Sequence, residues 1–158
     1  MKTRIIVAGI IHDGEKLALG KKDKRRPPYP DVWHTIGGGI KDRGKGTQLL
    51  SQKKYDDPYF HSELIRELGE EAPSLKIDPE NIKCIIPKYR LTPREDTTTR
   101  KDGKPLHIIF LEYFCKYESG DLIPADDIVE LKWVNKKDLG NTELTTPSQE
   151  MYKELGWL

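Results

Sequence analysis

Cysteine is nearly missing from this sequence: Cys84 and Cys115 are the only two, both inside apolar runs and neither in a C-x-x-C spacing. That excludes a disulfide-stapled secreted fold and a thiolate zinc site, and points to buried thiols in a reducing compartment. Apolar residues are also few, at 35% of the chain. Even so, 158 residues are enough for one domain with a sizeable core. Long apolar runs are lacking. The N-terminal stretch "MKTRIIVAGIIHDG" begins like a signal peptide, but its apolar run of about seven residues meets a charged turn, so it is read as a strand. No segment approaches the roughly 20 apolar residues that cross a bilayer, so a soluble cytoplasmic protein with no membrane partner is expected. An excess of one charge is absent too: 27 basic against 26 acidic residues leave a net charge of +1. Nothing draws the whole chain to nucleic acid, although local basic patches are compatible with that balance. No internal repeat or low-complexity tract is present.

What is there begins with a hairpin signal. Residues 4–11 and 16–22 read as strands around Asp13-Gly14, a dipeptide that supplies the positive φ of a tight turn. The loop "KKDKRRPPYPDVW" follows, with three prolines and five basic residues, and then "WHTIGGGI", a short strand running into three glycines. Residues 41–59 are polar and read as irregular, with Asp56, Asp57 and Ser62 as candidate caps for the helix that comes next. Beyond it, residues 82–91, 106–117 and 128–134 read as strands, with Asp102-Gly103 as a turn and residues 147–155 as a closing helix. Strands on either side of one central helix predict a mixed sheet covered on both faces, an α/β class fold.

The central helix, residues 63–72 in "HSELIRELGEEAPSL", holds the most informative pattern. At about 100° per residue, Glu63, Glu67, Glu70 and Glu71 share one face, while Leu64, Ile65, Leu68 and Ala72 form an apolar stripe. Pro73 stops the helix near Ala72. A solvated helix face usually mixes charge signs, because like charges at i,i+4 cost a few tenths of a kcal/mol. Glu63/Glu67 and Glu67/Glu71 are like-charge pairs, so local stability does not account for them. Carboxylates at i, i+3 and i+4 can converge on a hard divalent cation.

Arg66, Glu67, Leu68, Gly69, Glu70 and Glu71 spell R-E-L-G-E-E, which resembles the second half of the Nudix hydrolase signature, G-x5-E-x7-R-E-U-x-E-E-x-G-U. Upstream, "WHTIGGG" is similar to the W-x-x-P-G-G leading into that signature, with Gly37 and Gly38 as its paired glycines. Downstream, "ADDIVELKWV" resembles the family's late acidic loop and tryptophan-bearing strand. There are three departures. Between Gly38 and Glu67 stand 28 residues where the signature has 14, so the loop carries an insertion within about 41–59. The first glutamate of the signature falls on Pro58 or Gly44 and is missing, leaving Glu63 as a replacement carboxylate. The glycine after the helix is Pro73.

The resemblance implies one Nudix domain over residues 1–158, a Nudix-type α/β/α sandwich with a central mixed β-sheet. It also implies metal-dependent hydrolysis of a pyrophosphate bond in a nucleoside diphosphate linked to another moiety. By resemblance, Gly38 (through its carbonyl), Glu67, Glu70, Glu71 and Asp127 hold Mg2+ or Mn2+, with Glu67 or Glu70 as general base and Asp126 or Asp127 as the late-loop alternative. Lys22, Gly37, Gly38 and Arg66 would meet the substrate, a small-molecule nucleotide, with Arg66 also bracing a carboxylate. Tyr29 and Trp33 are candidates to stack a base, with Trp33 equally placed for the core; His34 stands beside them. Glu112 reads as an edge residue rather than part of the site. Two other functions stay open: a nucleotide-binding or regulatory module without turnover, and an RNA 5'-end pyrophosphohydrolase using Lys45, Lys53 and Lys54. A homodimer is compatible with the sequence but not indicated by it.

Overall fold

In a computed structural model that describes residues 2–25, 31–86 and 90–158, the N-terminal hairpin forms as β1 (Lys2–Asp13) and β2 (Lys16–Lys22). Gly14, with φ of +60°, carries the positive dihedral its turn requires. β1 lies at the middle of a mixed sheet. It runs parallel to β7 (Pro105–Ser119) along nearly its whole length. Its other edge pairs antiparallel with β2 at one end and with β4 (Ile36–Gly39) at the other. β3 (Trp33–His34) and β8 (Ile128–Asn135) pair with β2. β5 (Lys76–Cys84) and β6 (Arg94–Thr99) share the far edge of β7.

Alternation along β1 and β7 sends successive side chains to opposite faces. On one face Ile5, Val7 and Ile11 pack with Leu111, Tyr113 and Cys115 beneath Leu64, Leu68 and Ala72 of α2 (Pro58–Glu71) and its cap. On the other, Ile10, Leu17 and Leu19 pack beneath Met151 and Tyr152 of α3 (Thr146–Glu154). Helices on both faces of a mixed sheet make the α/β/α sandwich. Both cysteines are free thiols, Cys115 fully buried and Cys84 partly so. Among the described residues no helix is long and apolar enough to cross a membrane.

Several expectations need correction. Residues 41–59 are not irregular: Arg43–Ser51 forms a helix, α1, capped by the Asp42 carboxylate, which accepts from Lys45 N. Its two glycines and weak amphipathic pattern hid it, yet it buries Leu49 in the core beside Phe60. α2 therefore starts earlier than residue 63, at Pro58, with Asp57 as cap accepting from Tyr59 N at 2.9 Å. It stops where Pro73 requires, Ala72 closing it with a bond to Leu68 O. The strand expected at 82–91 lies at Lys76–Cys84. Its pairing jumps between Ile77 and Ile82, where Asp78 accepts from Glu80 N and makes a local turn that breaks the alternation. β6 carries no apolar run and was not expected at all; it forms because the Asp102-Gly103 turn folds it back on β7. Residues 87–89, part of the expected strand, lie outside the described residues.

Candidate active site

A cleft of about 220 Å³ opens where β4 meets β1 and the end of α2. Its floor follows from the register: Gly39 lies opposite Ile6 and Gly37 opposite Ala8, and across β1, Ile6 pairs Phe110 and Ala8 pairs Glu112. The glycines are required here. A side chain on Gly37 would overlap the Val7 carbonyl, and one on Gly38 would occupy the position of the Glu67 carboxylate. With no side chain between, α2 rests against β4, and Glu67, Glu70 and Glu71 all reach the cleft.

Burial acts on these acids unequally. Glu70 is exposed. Glu67 and Glu71 are 8% and 5% exposed, and loss of water pushes both carboxyls up, Glu71 to about 8 with help from the Glu67 and Asp127 charges. Glu71 accepts from the Gly37 backbone, but its Oε2 is buried without a partner. The late loop joins the group: Ala125 N donates to the Glu71 carbonyl at 3.0 Å, and Asp126 and Asp127 line the same cleft. Lys22 lines it as well.

Arg66 braces this end of α2. Its Nη2 donates to Gly39 O at 3.2 Å, Nε to Glu63, and Nη1 lies 3.1 Å from Glu70 and 3.0 Å from Glu67. It is absent from the cleft lining, and the contacts it makes are those of a brace. Glu63 is no replacement ligand either. Its carboxylate accepts from Lys41 N and the Tyr59 hydroxyl as well as Arg66, and it is spent on anchoring the inserted segment. Glu112 is not at an edge: it sits on β7 in the interior of the sheet, 5% exposed, paired with Arg94 at 3.2 Å, and it lines the cleft. Trp33 is core, 7% exposed, with Lys21 and Lys132 over its ring. Tyr29 and Arg26 lie outside the described residues. Lys53 and Lys54 border a separate hollow, and Lys45 lies over Tyr59 outside the cleft.

No protein-family model matches the sequence, and no curated protein does. Solved structures do match. A MutT Nudix hydrolase from Burkholderia pseudomallei superposes with a TM-score of 0.63 at 14% identity, over 98% of this chain and 99% of that one. The Nudix domain of NrtR from Shewanella oneidensis, solved with ADP ribose, gives 0.63 at 14%, over 99% and 88%. A bifunctional NMN adenylyltransferase/ADP ribose pyrophosphatase from Francisella tularensis, solved with AMP and a manganese ion, gives 0.57 at 16%, over 97% of this chain and 41% of that one. The chain has the Nudix fold.

Within the Nudix fold of this chain, the donor set fits a hard divalent cation. Glu67 and Glu71 are one helical turn apart, both desolvated, and an orphaned Oε2 beside a second carboxylate is relieved by a cation. As placed, no three His, Cys, Asp or Glu side chains among the described residues converge closely enough to hold an ion, and Arg66 pairs with both Glu67 and Glu70. Sequence reasoning missed three features of this Nudix cleft and left the role of a fourth, His34, open. Arg4 continues the β1 row of Ile6 and Ala8, and period-two spacing alone places it there. Thr145 and Ser148 enter from the start of α3, which no motif marks. His34 lines the cleft with a buried, unpartnered Nε2. Its Nδ1 sits 2.6 Å from Thr35 O, and burial lowers its pKa to about 4, so the ring is neutral and Nε2 is an acceptor. The Arg94–Glu112 pair depends on β6, which had no strand signal.

Proposed function

We propose that this chain hydrolyses a pyrophosphate bond in a nucleoside diphosphate linked to another moiety, with Mg2+ or Mn2+. One observation carries the reading: Glu71 presents a buried, unpartnered carboxylate oxygen beside the equally buried Glu67 carboxylate, in a cleft floored by glycine backbone. Two buried carboxylates with Arg66 on Glu67 and an orphaned oxygen on Glu71 are costly to ionise together unless a cation joins them. Glu67, Glu70, Glu71, Asp127 and the Gly38 carbonyl would hold the ion. When bound, the ion neutralises pyrophosphate oxygens and acidifies a water.

The chain's own residues supply the rest. Lys22 and Arg4, the cations of the cleft lining, meet the phosphate charge. Arg66 fixes α2 to β4 so that the acids keep their spacing across the Gly39 carbonyl. Glu67, with its carboxyl raised by burial, is poised to take a proton from the attacking water, with Asp126 or Asp127 as the late-loop alternative. Similar folds solved with ADP ribose and with AMP and manganese support a small-molecule nucleotide as the ligand.

The test is a release assay over nucleotide sugars, dinucleoside polyphosphates, NADH, ADP-ribose and nucleoside triphosphates, with and without Mg2+ or Mn2+. Metal-dependent release from at least one class is expected. No release from any of them overturns the hydrolase reading. A second reading, a binding module without turnover, is favoured by the missing first glutamate and by the hold of Arg66 on Glu67 and Glu70. It predicts a ligand-induced rise in melting temperature with no release.

A further inference from the structure

The cleft has a third buried carboxylate, one that the proposed metal end does not use. Glu112 lies on the opposite side of the floor from β4, and Arg94 Nε donates to its Oε1 at 3.2 Å. Arg94 is itself 6% exposed and is held by Glu150 and Glu154 of α3. A buried ion pair of this sort adds little stability over apolar side chains of the same size, so stability does not explain a carboxylate on a cleft wall. Around it in the cleft lining are the apolar side chains of Ile6, Ala8 and Phe110 and the hydroxyls of Thr145 and Ser148. Thr145 Oγ1 accepts from Ser148 N and donates to Ser148 Oγ at 2.9 Å. The Ser148 hydroxyl therefore keeps its own proton to give.

Resting on the reading that this cleft takes a nucleotide, we propose that Glu112, positioned by Arg94, is its base-reading residue and selects guanine. The chemistry discriminates among the bases. When ionised, the Glu112 carboxylate offers acceptors only. Guanine places two N–H donors, N1 and the 2-amino group, side by side on one edge, next to an O6 acceptor that suits the Ser148 hydroxyl. Adenine and cytosine set a ring-nitrogen acceptor beside their amino group, and uracil and thymine flank their single N–H with two carbonyls. Each would bring a lone pair against the carboxylate.

The test uses the full chain without metal at pH 8.5, above the value of about 7 to which burial raises the Glu112 carboxyl, and measures binding of GMP, IMP and AMP by calorimetry, so it does not depend on turnover. GMP should bind tightest. IMP, which lacks the 2-amino donor, should bind about tenfold more weakly, and AMP about a hundredfold, as expected for one and two hydrogen bonds to a charged group. Glu112→Gln keeps the shape and a partner for Arg94; it should lower GMP affinity at least about tenfold and bring GMP and AMP within about threefold of each other. GMP and AMP binding equally to the wild type, or Glu112→Gln retaining the full preference, overturns the assignment and leaves a structural ion pair. Absence of GMP binding overturns it as well. In each of these cases, metal-dependent release in the substrate panel leaves the hydrolase reading standing.

Discussion

Glu71→Gln separates a metal site from a merely acidic helix. In the metal-free protein the Glu71 carboxyl is raised from 4.5 to about 8 by burial first and by the Glu67 charge second. A raised acid is bound to more protons in the folded than in the unfolded state between those two values. Stability from this group is therefore complete below about pH 4.5 and is lost as pH rises to about 8. At about 1.4 kcal/mol per pH unit the loss has an upper limit near 5 kcal/mol, and relaxation around a carboxylate brings the expected figure to about 2 kcal/mol. The neutral amide has no such loss. Without metal, Glu71→Gln should match the wild type at pH 4 and exceed it at pH 8.5 by about 2 kcal/mol, a rise of roughly 4–8 °C in melting temperature for a chain of this length. Saturating Mg2+ or Mn2+ should reverse the order, because the wild type gains by mass action what the variant cannot. Thermal melts by circular dichroism at pH 4, 6 and 8.5, with EDTA or with each ion, read all of this. A variant neutral at pH 8.5, or one whose melt responds to the ions as the wild type does, would refute the reasoning.

Gly37→Ala drives a methyl into the Val7 carbonyl and should cost about 2 kcal/mol or more in urea unfolding. Leu49→Ala should cost about 2 kcal/mol or more by the same measurement, because Leu49 is 8% exposed and packs in the core; a neutral result would return α1 to the surface. Arg94→Met leaves Glu112, already raised to about 7 by burial, without its counter-charge. Its carboxyl should rise further, so the loss of about 3 kcal/mol expected for a broken buried pair should be seen above pH 7 and shrink in melts at pH 5. Glu70→Gln should reduce metal-dependent turnover about a hundredfold, about 2.7 kcal/mol in the barrier, with little change in the metal-free melt.

The hairpin, the limits of β7, the amphipathic character of α2 and its stop before Pro73 were all legible in the sequence, because each rests on short-range causes: a glycine dihedral, an alternation, a ring without an N–H. The acids of α2 were legible for the same reason, since helical spacing alone gathers them on one face. The tertiary structure decided what those acids meet. Whether Glu63 would face the cleft or the insertion turned on Lys41 arriving from outside α2 and on Tyr59 one turn away, and the bracing contact of Arg66 turned on the position of the Gly39 carbonyl. α1 was hidden because its two glycines and weak apolar face give no periodic signal; what holds it is Leu49 docking beside Phe60. Glu112 was misjudged because strand alternation assigns a residue to a face but not to the centre or edge of a sheet. That depends on which strands pair beside it, and β6, the strand that brings Arg94 to Glu112, is polar throughout and forms only by hydrogen bonding to β7.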